Sequence, residues 1–478
     1  MHFSFRQLAW LAVASGVLYG CSQSALQLST DIQPKSEANL RTASTGTILN
    51  VQTGKTYTDL QTAFNELPAT FTQSYELQLS GTFITKSVTL RSKNMGSFSL
   101  ALRGVDGQAV LDAGQSESAV VFNGTSPANI RNITLENLVI TNYSLTSGNT
   151  AGVRFFTIKG QNLLKNVRFT GGYVAMRATV QCEDITLEDV QMEGIRYGGP
   201  RFGQAPDDVG NVVLRRLKTS LDQSPQNLAG VDNVCQLKGF KSLLIEDCEF
   251  DGATKTIVDL YEMSNITIRR NKFIRSGSNN LYGIGIQLLP ASGSTCRNVV
   301  IENNLFDNPL GTAIYLRGAD VKINNNTFIE GGTTRPLISL EASSGNIELV
   351  NNIYLGKSST NPIINLYQVN AQSFVSNNNL YFKPAGNNRN LIKGANNGKD
   401  LTSTTLAQLQ SKGLDRDGLQ AQPLFIGSTD PGRPAYMLTA GSPGRNAADA
   451  TRCPAMDLAN QPITVAPPDM GAYDYDSF

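Results

Sequence analysis

Between Ile130 and Tyr381 the chain writes one phrase ten times: a short apolar strand, a polar step, then a large apolar or aromatic residue. Early copies are Ile133-Thr-Leu-Glu-Asn-Leu-Val-Ile140 and Ile185-Thr-Leu-Glu-Asp-Val-Gln-Met192; late ones are Val299-Val-Ile-Glu-Asn-Asn-Leu-Phe306 and Ile347-Glu-Leu-Val-Asn-Asn-Ile-Tyr354. The closing residues of successive copies lie between 22 residues (Phe306 to Phe328) and 33 residues (Phe273 to Phe306) apart. A firm lower bound with variable excess describes a coil of fixed minimum length that accepts insertions. Such periods mark solenoids, and short β-branched strands without amphipathic helices between them specify an all-β, single-stranded parallel β-helix. A leucine-rich repeat would need a Leu-rich consensus with one Asn per turn, which this chain lacks.

Asn271, Asn304, Asn326, Asn352 and Asn379 stand two residues before the closing aromatic, with Asn303, Asn325, Asn351 and Asn378 one step earlier. Asn tolerates the left-handed backbone of a tight corner, and amides stacked about 4.8 Å apart can bond along a ladder. These residues therefore read as structural. Phe250, Phe273, Phe306, Phe328, Tyr354 and Tyr381 read as an interior stack.

The N-terminus, with Arg6 before apolar Leu8 to Leu18, has the form of a secretion signal too short for a membrane span. It ends Leu18-Tyr-Gly-Cys21, the form of a bacterial lipoprotein site with Cys21 acylated; plain signal cleavage leaving Cys21 a thiol is the alternative. The expected organisation is a leader over 1–21, a Ser/Thr/Gln-rich tether over 22–46, the β-helix with its N-terminal cap over 47–382 and a C-terminal capping segment over 383–478. Export to a bacterial cell envelope, with membrane contact through the lipid alone, follows from that reading.

The chain has 40 Lys and Arg against 39 Asp and Glu, and removing the leader takes away Arg6, leaving 39 of each. That balance gives no bulk attraction to nucleic acid. The single His and single Trp, His2 and Trp10, both fall in the leader, so the remaining chain has no histidine base or ligand and no tryptophan platform for sugars. Five cysteines outside the leader show no CxxC spacing, which argues against a disulfide framework or a zinc site.

Thr58-Asp59 before Leu60, Ala63, Phe64 and Leu67 has the cap and spacing of a short amphipathic helix, expected to plug the N-terminal end. A second short helix is expected near Leu401 to Lys412. Farther on, Leu438-Thr-Ala-Gly-Ser-Pro443 and Asp469-Met-Gly-Ala-Tyr473 resemble the closing segment of exported bacterial right-handed parallel β-helix proteins; Gly444-Arg-Asn-Ala-Ala448 departs from their usual Ala-Ile-Asp-Ala-Gly. The resemblance implies a right-handed coil with an irregular C-terminal cap. It does not choose among the lyases, hydrolases, esterases, epimerases and adhesins built on that fold.

Each coil carries a second strand upstream of the repeated phrase. Keeping its apolar residues inside aligns one outward column of Gln236, Asp259, Gln287, Tyr315, Ser339 and Asn365, and a neighbouring column of Lys159, Lys238, Tyr261, Arg317, Glu341 and Tyr367. The face, flanked by the insertions 196–208 and 279–297, is the candidate groove, because sugars need hydrogen-bonding groups and flat rings together. The alternative is a solvated sheet face whose mixed charges keep the solenoid soluble.

β-Elimination on a uronate needs a base, a proton donor and a cation to stabilise the enolate. Without His, the compact set is Lys238 as base, Tyr261 as proton donor and Asp259 as ligand for Ca²⁺ or substrate, with Arg317 joining the catalytic group. Lys159, Gln236, Gln287, Tyr315, Glu341 and Tyr367 would bind substrate. The chain faintly resembles the alginate lyase and chondroitinase B family, in which a Lys-Ser and an Arg-His-Gly motif occupy successive coils. Leu316-Arg317-Gly318 matches the second without its His, and Gln287-Leu-Leu289 stands where Lys-Ser would be. Hydrolysis would instead need two facing carboxylates about 5 to 9.5 Å apart, for which Asp232 or Asp207-Asp208 could approach Asp259. Asp415-Arg-Asp417-Gly is a calcium-loop fragment without the distal Glu and reads as a surface turn. The expectation is a protein that binds an acidic polysaccharide, with cleavage by β-elimination left open; the alternative is a non-catalytic cell-surface or adhesin-like carbohydrate-binding protein.

Overall fold

The computed structural model describes residues 45–478 apart from 116–117, 126–128, 145–150, 204–209, 221–232, 254, 277–282, 292–293, 308–310, 332–334, 358–359 and 428–431. The leader with Cys21, the tether up to residue 44, and Asp207, Asp208 and Asp232 lie outside the described residues.

Three strands make a coil. Thr256–Tyr261, Ile266–Arg269 and Lys272–Ser276 belong to faces one, two and three of a single turn. Face one is a 13-stranded sheet, parallel from Val88–Arg91 to Ile392–Asn396 and closed by antiparallel Lys399–Asp400. Faces two and three form one 25-stranded sheet, because in early coils a single strand rounds the corner, as Ile133–Thr141 and Asn162–Thr170 do. Inward positions alternate with outward ones along each strand, so Leu237, Leu260, Leu288, Leu316 and Leu340 pile into one buried column.

The corner between faces two and three divides the work of the two Asn columns. The first column bends the backbone: Asn303, Asn325, Asn351 and Asn378 have φ between 51° and 61°, and Arg270, Asp247, Arg216 and Asp189 hold the same left-handed conformation in earlier coils. The second column makes the ladder. Asn271 donates its main-chain N–H and its Nδ2 to Asn304 Oδ1, both at 3.0 Å, and the pattern repeats from Asn304 to Asn326, Asn326 to Asn352 and Asn352 to Asn379. Each Nδ2 also reaches a carbonyl of the preceding coil, such as Ile301 O from Asn326 at 2.8 Å. Buried amides are thus fully bonded, as a dry interior requires.

Both ends of the ladder are finished. Upstream, the Cys248 N–H donates to Asn271 Oδ1 at 2.9 Å, and earlier coils put Leu217, Val190 and Val167 at that place. Downstream, Asn379 gives its Nδ2 to Asp415 Oδ1 at 2.8 Å, and Asp415 Oδ2 accepts from Ser376 Oγ and Tyr381 Oη. Asp415 is therefore not the surface turn expected of it. The last donors of the ladder need an acceptor, and a carboxylate supplies two; burial raises its pKa. The aromatic rings stack as expected, with centroids 4.7 to 5.4 Å apart from Phe250 to Tyr381.

The helix Leu60–Glu66 covers the N-terminal end, capped by Asp59, with Phe64 against Phe122 and the Gln61 amide pairing with both main-chain groups of Thr89 on the first strand of face one. The coil continues past residue 382: Ile392–Asn396 extends face one, Leu419–Gln420 pairs with Leu380–Phe382, and the helix Leu406–Ser411 lies between them in sequence. The remainder runs as a strap along the flank. Leu305, Ile329, Ile353 and Leu380 point outward from face three and are buried under Met437, Leu438, Leu458, Met470, Ala472 and Tyr473. The corner amides hold the strap's backbone, Asn378 to Ala447 O, Asn351 to Asp449 O and Asn303 to Met456 O. The phrase Asp469-Met-Gly-Ala-Tyr473 is the docking piece. A side chain on Gly471 (φ 90°) would collide with Ile353 and Thr327, and Asp469 accepts the N–H groups of Asn446 and Tyr475.

Asn326→Ala would remove the oxygen that accepts from both the main-chain N–H and the Nδ2 of Asn304 and the amide that donates to two carbonyls, and should cost about 3 kcal/mol, read as a lowered midpoint in urea. Asp469 is pushed up to about 6 from 3.8, chiefly by burial and further by Asp474. Its folded value lies above its unfolded one, so its contribution is complete below pH 4 and is lost as pH rises through 6. Between pH 4 and 6.5 the Tm of the wild type should fall relative to that of Asp469→Asn.

Candidate functional site

Face one carries the chemistry-bearing columns in the register expected from residue 236 onward. Gln236, Asp259, Gln287, Tyr315, Ser339 and Asn365 are successive Cα partners, as are Lys238 with Tyr261 and Arg317 with Glu341 and Tyr367. Toward the N-terminus the first column continues as Arg201, Arg177 and Arg154. The second continues as Gly203, Thr179 and Phe156.

Lys159 is the exception. The Phe155-Phe156 pair offers two choices of inward residue, and Phe155 takes the core while Phe156 faces out under the Arg154 guanidinium, 4.5 Å from its ring centroid. Lys159 consequently falls beyond the strand, bridged to Arg131, and does not join Lys238 and Tyr261.

Between the columns lies a cleft of about 350 Å³, lined by Arg177, Thr179, Arg201, Phe202, Gly203, Gln236, Lys238 and Tyr261. Gly203 contributes to the depression: among the described residues a Cβ there would meet no atom within 4 Å. At its rim Tyr173 and Tyr197 stack in parallel, 4.5 Å apart, and the Arg201 guanidinium sits 4.0 Å over the Tyr197 ring.

Asp259 is buried behind this cleft. Its Oδ2 accepts from Asn233 Nδ2 (2.7 Å), Tyr261 Oη (2.9 Å) and Gln236 Nε2 (3.3 Å), and its Oδ1 from Gln287 Nε2 (3.0 Å). Burial raises its pKa against the hydrogen bonds from Tyr261, Gln236 and Gln287 and the Arg201 charge. Asp259 does not fit the role of a calcium ligand: its neighbours are donors, and among the described residues no group of three acidic, Cys or His side chains is placed to hold a cation. It instead organises the cleft.

Tyr261 is pushed to about 12 by burial and then by the Asp259 charge, so its hydroxyl stays protonated. That suits a hydrogen-bond or proton donor. Lys238 shares the cleft, but its Nζ pairs with Glu262 Oε1 at 3.2 Å. Arg317 is exposed and stands three coils from Lys238, about 14 Å at strand spacing, so it does not meet the other two. Farther along, the Tyr315 hydroxyl donates to Glu341 at 2.6 Å, and Tyr367 is 55% exposed, an open ring on the same face. The columns had no place for Arg154, Arg177, Arg201, Tyr173, Tyr197 or Asn233. The words Val153-Arg-Phe155, Met176-Arg-Ala178 and Pro200-Arg-Phe202 carried the signal for the arginines, an outward residue between two inward ones.

A second groove, about 500 Å³, follows the corner upstream of the strap, between Asn166 and Lys272 with Leu458 to Asn460 at its end. Four of its charges pair internally, Arg216 on Asp189 and Arg270 on Asp247, each by two hydrogen bonds.

Residues 230–380 match the family described as "Right handed beta helix region". The chain is a right-handed parallel β-helix. Over 111 residues it is 36% identical to an α-1,3-galactosidase A of Akkermansia muciniphila, a stretch that spans 20% of this chain and 18% of that protein. A solved structure, the catalytic unit of the GH87 α-1,3-glucanase of Streptomyces thermodiastaticus, is similar over 72% of this chain and 66% of its own, with 12% identity and a TM-score of 0.39.

Asp259→Asn removes the charge that helps hold the Tyr261 proton. In ring-labelled tyrosine NMR the Tyr261 pKa should drop from about 12 while staying above 10, because burial, its larger cause, persists.

Proposed function

We propose that the protein binds an acidic polysaccharide along face one, with sugars seated in the cleft between Arg177 and Tyr261. The observation that carries this reading is the cleft itself: Arg177, Arg201 and Lys238 bring positive charge, and Gln236 and Tyr261 bring hydrogen-bonding groups. The stretch shared with an α-1,3-galactosidase supports a carbohydrate as the ligand. Export and acylation at Cys21 belong to the same proposal. They would place the face outside the cytoplasm, where such polymers occur, and Cys21→Ala should move the protein from the detergent phase to the aqueous phase of a cell extract.

Binding is favoured over β-elimination by the state of Lys238 and Asp259. A base must be unprotonated and aimed at the substrate, whereas Lys238 is held by Glu262, and the Asp259 oxygens are occupied by four donors. Elimination remains the second reading. Tyr261 would then protonate the leaving oxygen, and Lys238, released from Glu262, would take the proton beside the carboxyl group.

Affinity electrophoresis in gels containing alginate, pectate or chondroitin should show retardation of the wild type by at least one of them. Gly203→Ala, whose Cβ meets no described atom within 4 Å, should leave Tm unchanged, and Gly203→Leu, which puts a larger side chain into the depression, should abolish that retardation. Incubation with the same polymers, with and without Ca²⁺, distinguishes the readings. Unsaturated product that disappears in Lys238→Ala supports elimination, and new reducing ends without unsaturation point to hydrolysis. No retardation by any polymer overturns the proposal.

A further inference from the structure

The cleft occupies one part of face one, and the coils beyond it carry a second set of outward side chains in the same two columns. Arg317, Glu341 and Tyr367 are successive Cα partners and continue the column of Lys238 and Tyr261. Tyr315, Ser339 and Asn365 continue the column of Gln236 and Asp259. Tyr367 stands five strands from Lys238, about 24 Å at strand spacing, so one extended polymer can lie over both places.

Charge along these columns is uneven. The outward residues of the face-one strands from Val153–Phe156 to Ile392–Asn396 include Arg177, Arg201, Lys238, Arg317 and Lys393, but only two acids, Asp259 and Glu341. Asp259 is buried, with its oxygens taken by four donors, so Glu341 is the one carboxylate on these strands that a ligand meets. It is also held in place. Opposite charges on adjacent strands tend to close on each other, as Arg215 and Glu246 do on face two at 2.7 Å. Arg317 and Glu341 do not: Glu341 Oε2 accepts from the Tyr315 hydroxyl at 2.6 Å, and no ion pair joins it to Arg317 among the described residues. The undescribed stretches between 277 and 359 contain no charged residue. Burial, and then the bond to Glu341, push Tyr315 up to about 12, so its hydroxyl remains the donor. On the next strand the Tyr367 ring is 55% exposed.

We infer that Glu341 and Tyr367 form a subsite for an uncharged sugar residue, so that the polymer crossing face one carries neutral residues as well as acidic ones. The inference rests on the polysaccharide reading above and deepens it by naming the class of polymer. A carboxylate fixed by a tyrosine accepts hydrogen bonds from sugar hydroxyls, and the flat ring beside it covers the apolar face of a pyranose. The same carboxylate repels a uronate or sulfate placed over it, which is discrimination by exclusion. Acid groups are met instead by Arg177, Arg201 and Lys238 in the cleft, and by Arg317 one strand before Glu341. A chain made of uronates alone sets an acid group against Glu341. A chain that mixes uronates with neutral sugars avoids that contact.

The test compares binding of the full chain to polymers in which uronates alternate with uncharged amino sugars, hyaluronan and unsulfated chondroitin, and to polymers of uronates alone, pectate and alginate. At least one alternating polymer should bind about tenfold more tightly than either polyuronate. Glu341→Gln keeps an acceptor for Tyr315 while removing the charge, and should shrink that difference by strengthening polyuronate binding at unchanged Tm. Replacing a residue with a purely structural role would not raise affinity. Tyr367→Ala should weaken binding of the alternating polymer by about threefold or more, whereas Tyr367→Phe, which keeps the ring, should not. Pectate or alginate bound as tightly as the alternating polymers, or a preference that Glu341→Gln leaves intact, overturns the subsite; loss of binding in Gly203→Leu would still support the cleft. Binding of no polymer at all removes the underlying reading as well.

Discussion

Coil-to-coil register is the constraint on which everything else in this protein rests, and the buried amide ladder from Asn271 to Asp415 fixes it most tightly. A side-chain amide can bond its counterpart in the next coil only if both sit at the same depth and the same step of the corner. A slip by one residue would bury the corner Asn or Arg, expose the ladder Asn, and leave several interior donors without acceptors, each worth about 1–3 kcal/mol. The parallel stack of rings from Phe250 to Tyr381 imposes the same register from the other side of the corner. Because register is fixed there, outward residues on face one are forced into columns, and a binding face follows from an interior bond.

The strap adds a second lock to the same half of the molecule. Its apolar residues cover Leu305, Ile329, Ile353 and Leu380, and its backbone is read by the corner amides of Asn303, Asn351 and Asn378. Corner asparagines thus serve two ends. Their left-handed backbone turns the coil, and their side chains, freed from the interior, hold a neighbouring segment. In earlier coils Arg270, Asp247, Arg216 and Asp189 fill these corners, Arg270 bonding Asp247 and Arg216 bonding Asp189.

Much of this was legible in the sequence because the signal was repeated. The Asn columns, the ring stack, the helix after Asp59 and the face-one columns beyond Gln236 each recur or follow a local rule, so one ambiguous coil is corrected by the next. What the sequence hid had a single copy or a double meaning. Phe155-Phe156 allowed two alignments, which misplaced Lys159 and left the arginine row unseen. Asp415 resembles a turn residue until the unfinished end of the ladder shows what it must accept. Leu305, Ile353 and Leu380 read as ordinary strand residues, although their outward parity was a sign that something covers them. The strap's partner is more than 50 residues away in the chain, beyond the reach of periodicity.

The position of the cleft follows from where these locks end. The ladder and the ring stack begin at Cys248 and Phe250 and the strap's apolar cover begins at Leu305, while the coils of Arg154, Arg177 and Arg201 have apolar residues at the ladder place. The cleft spans the boundary, with Lys238 and Tyr261 reaching toward the locked half and the arginines toward the other. On another face of the same part of the solenoid, Lys165 with Glu188, and Arg215 with Glu188 and Glu246, tie successive coils together by pairs of opposite charge. Stability and recognition are thus divided between two faces of the same coils. A change to an outward side chain of face one is expected to act on binding first, because the interior and face two already hold those coils in register.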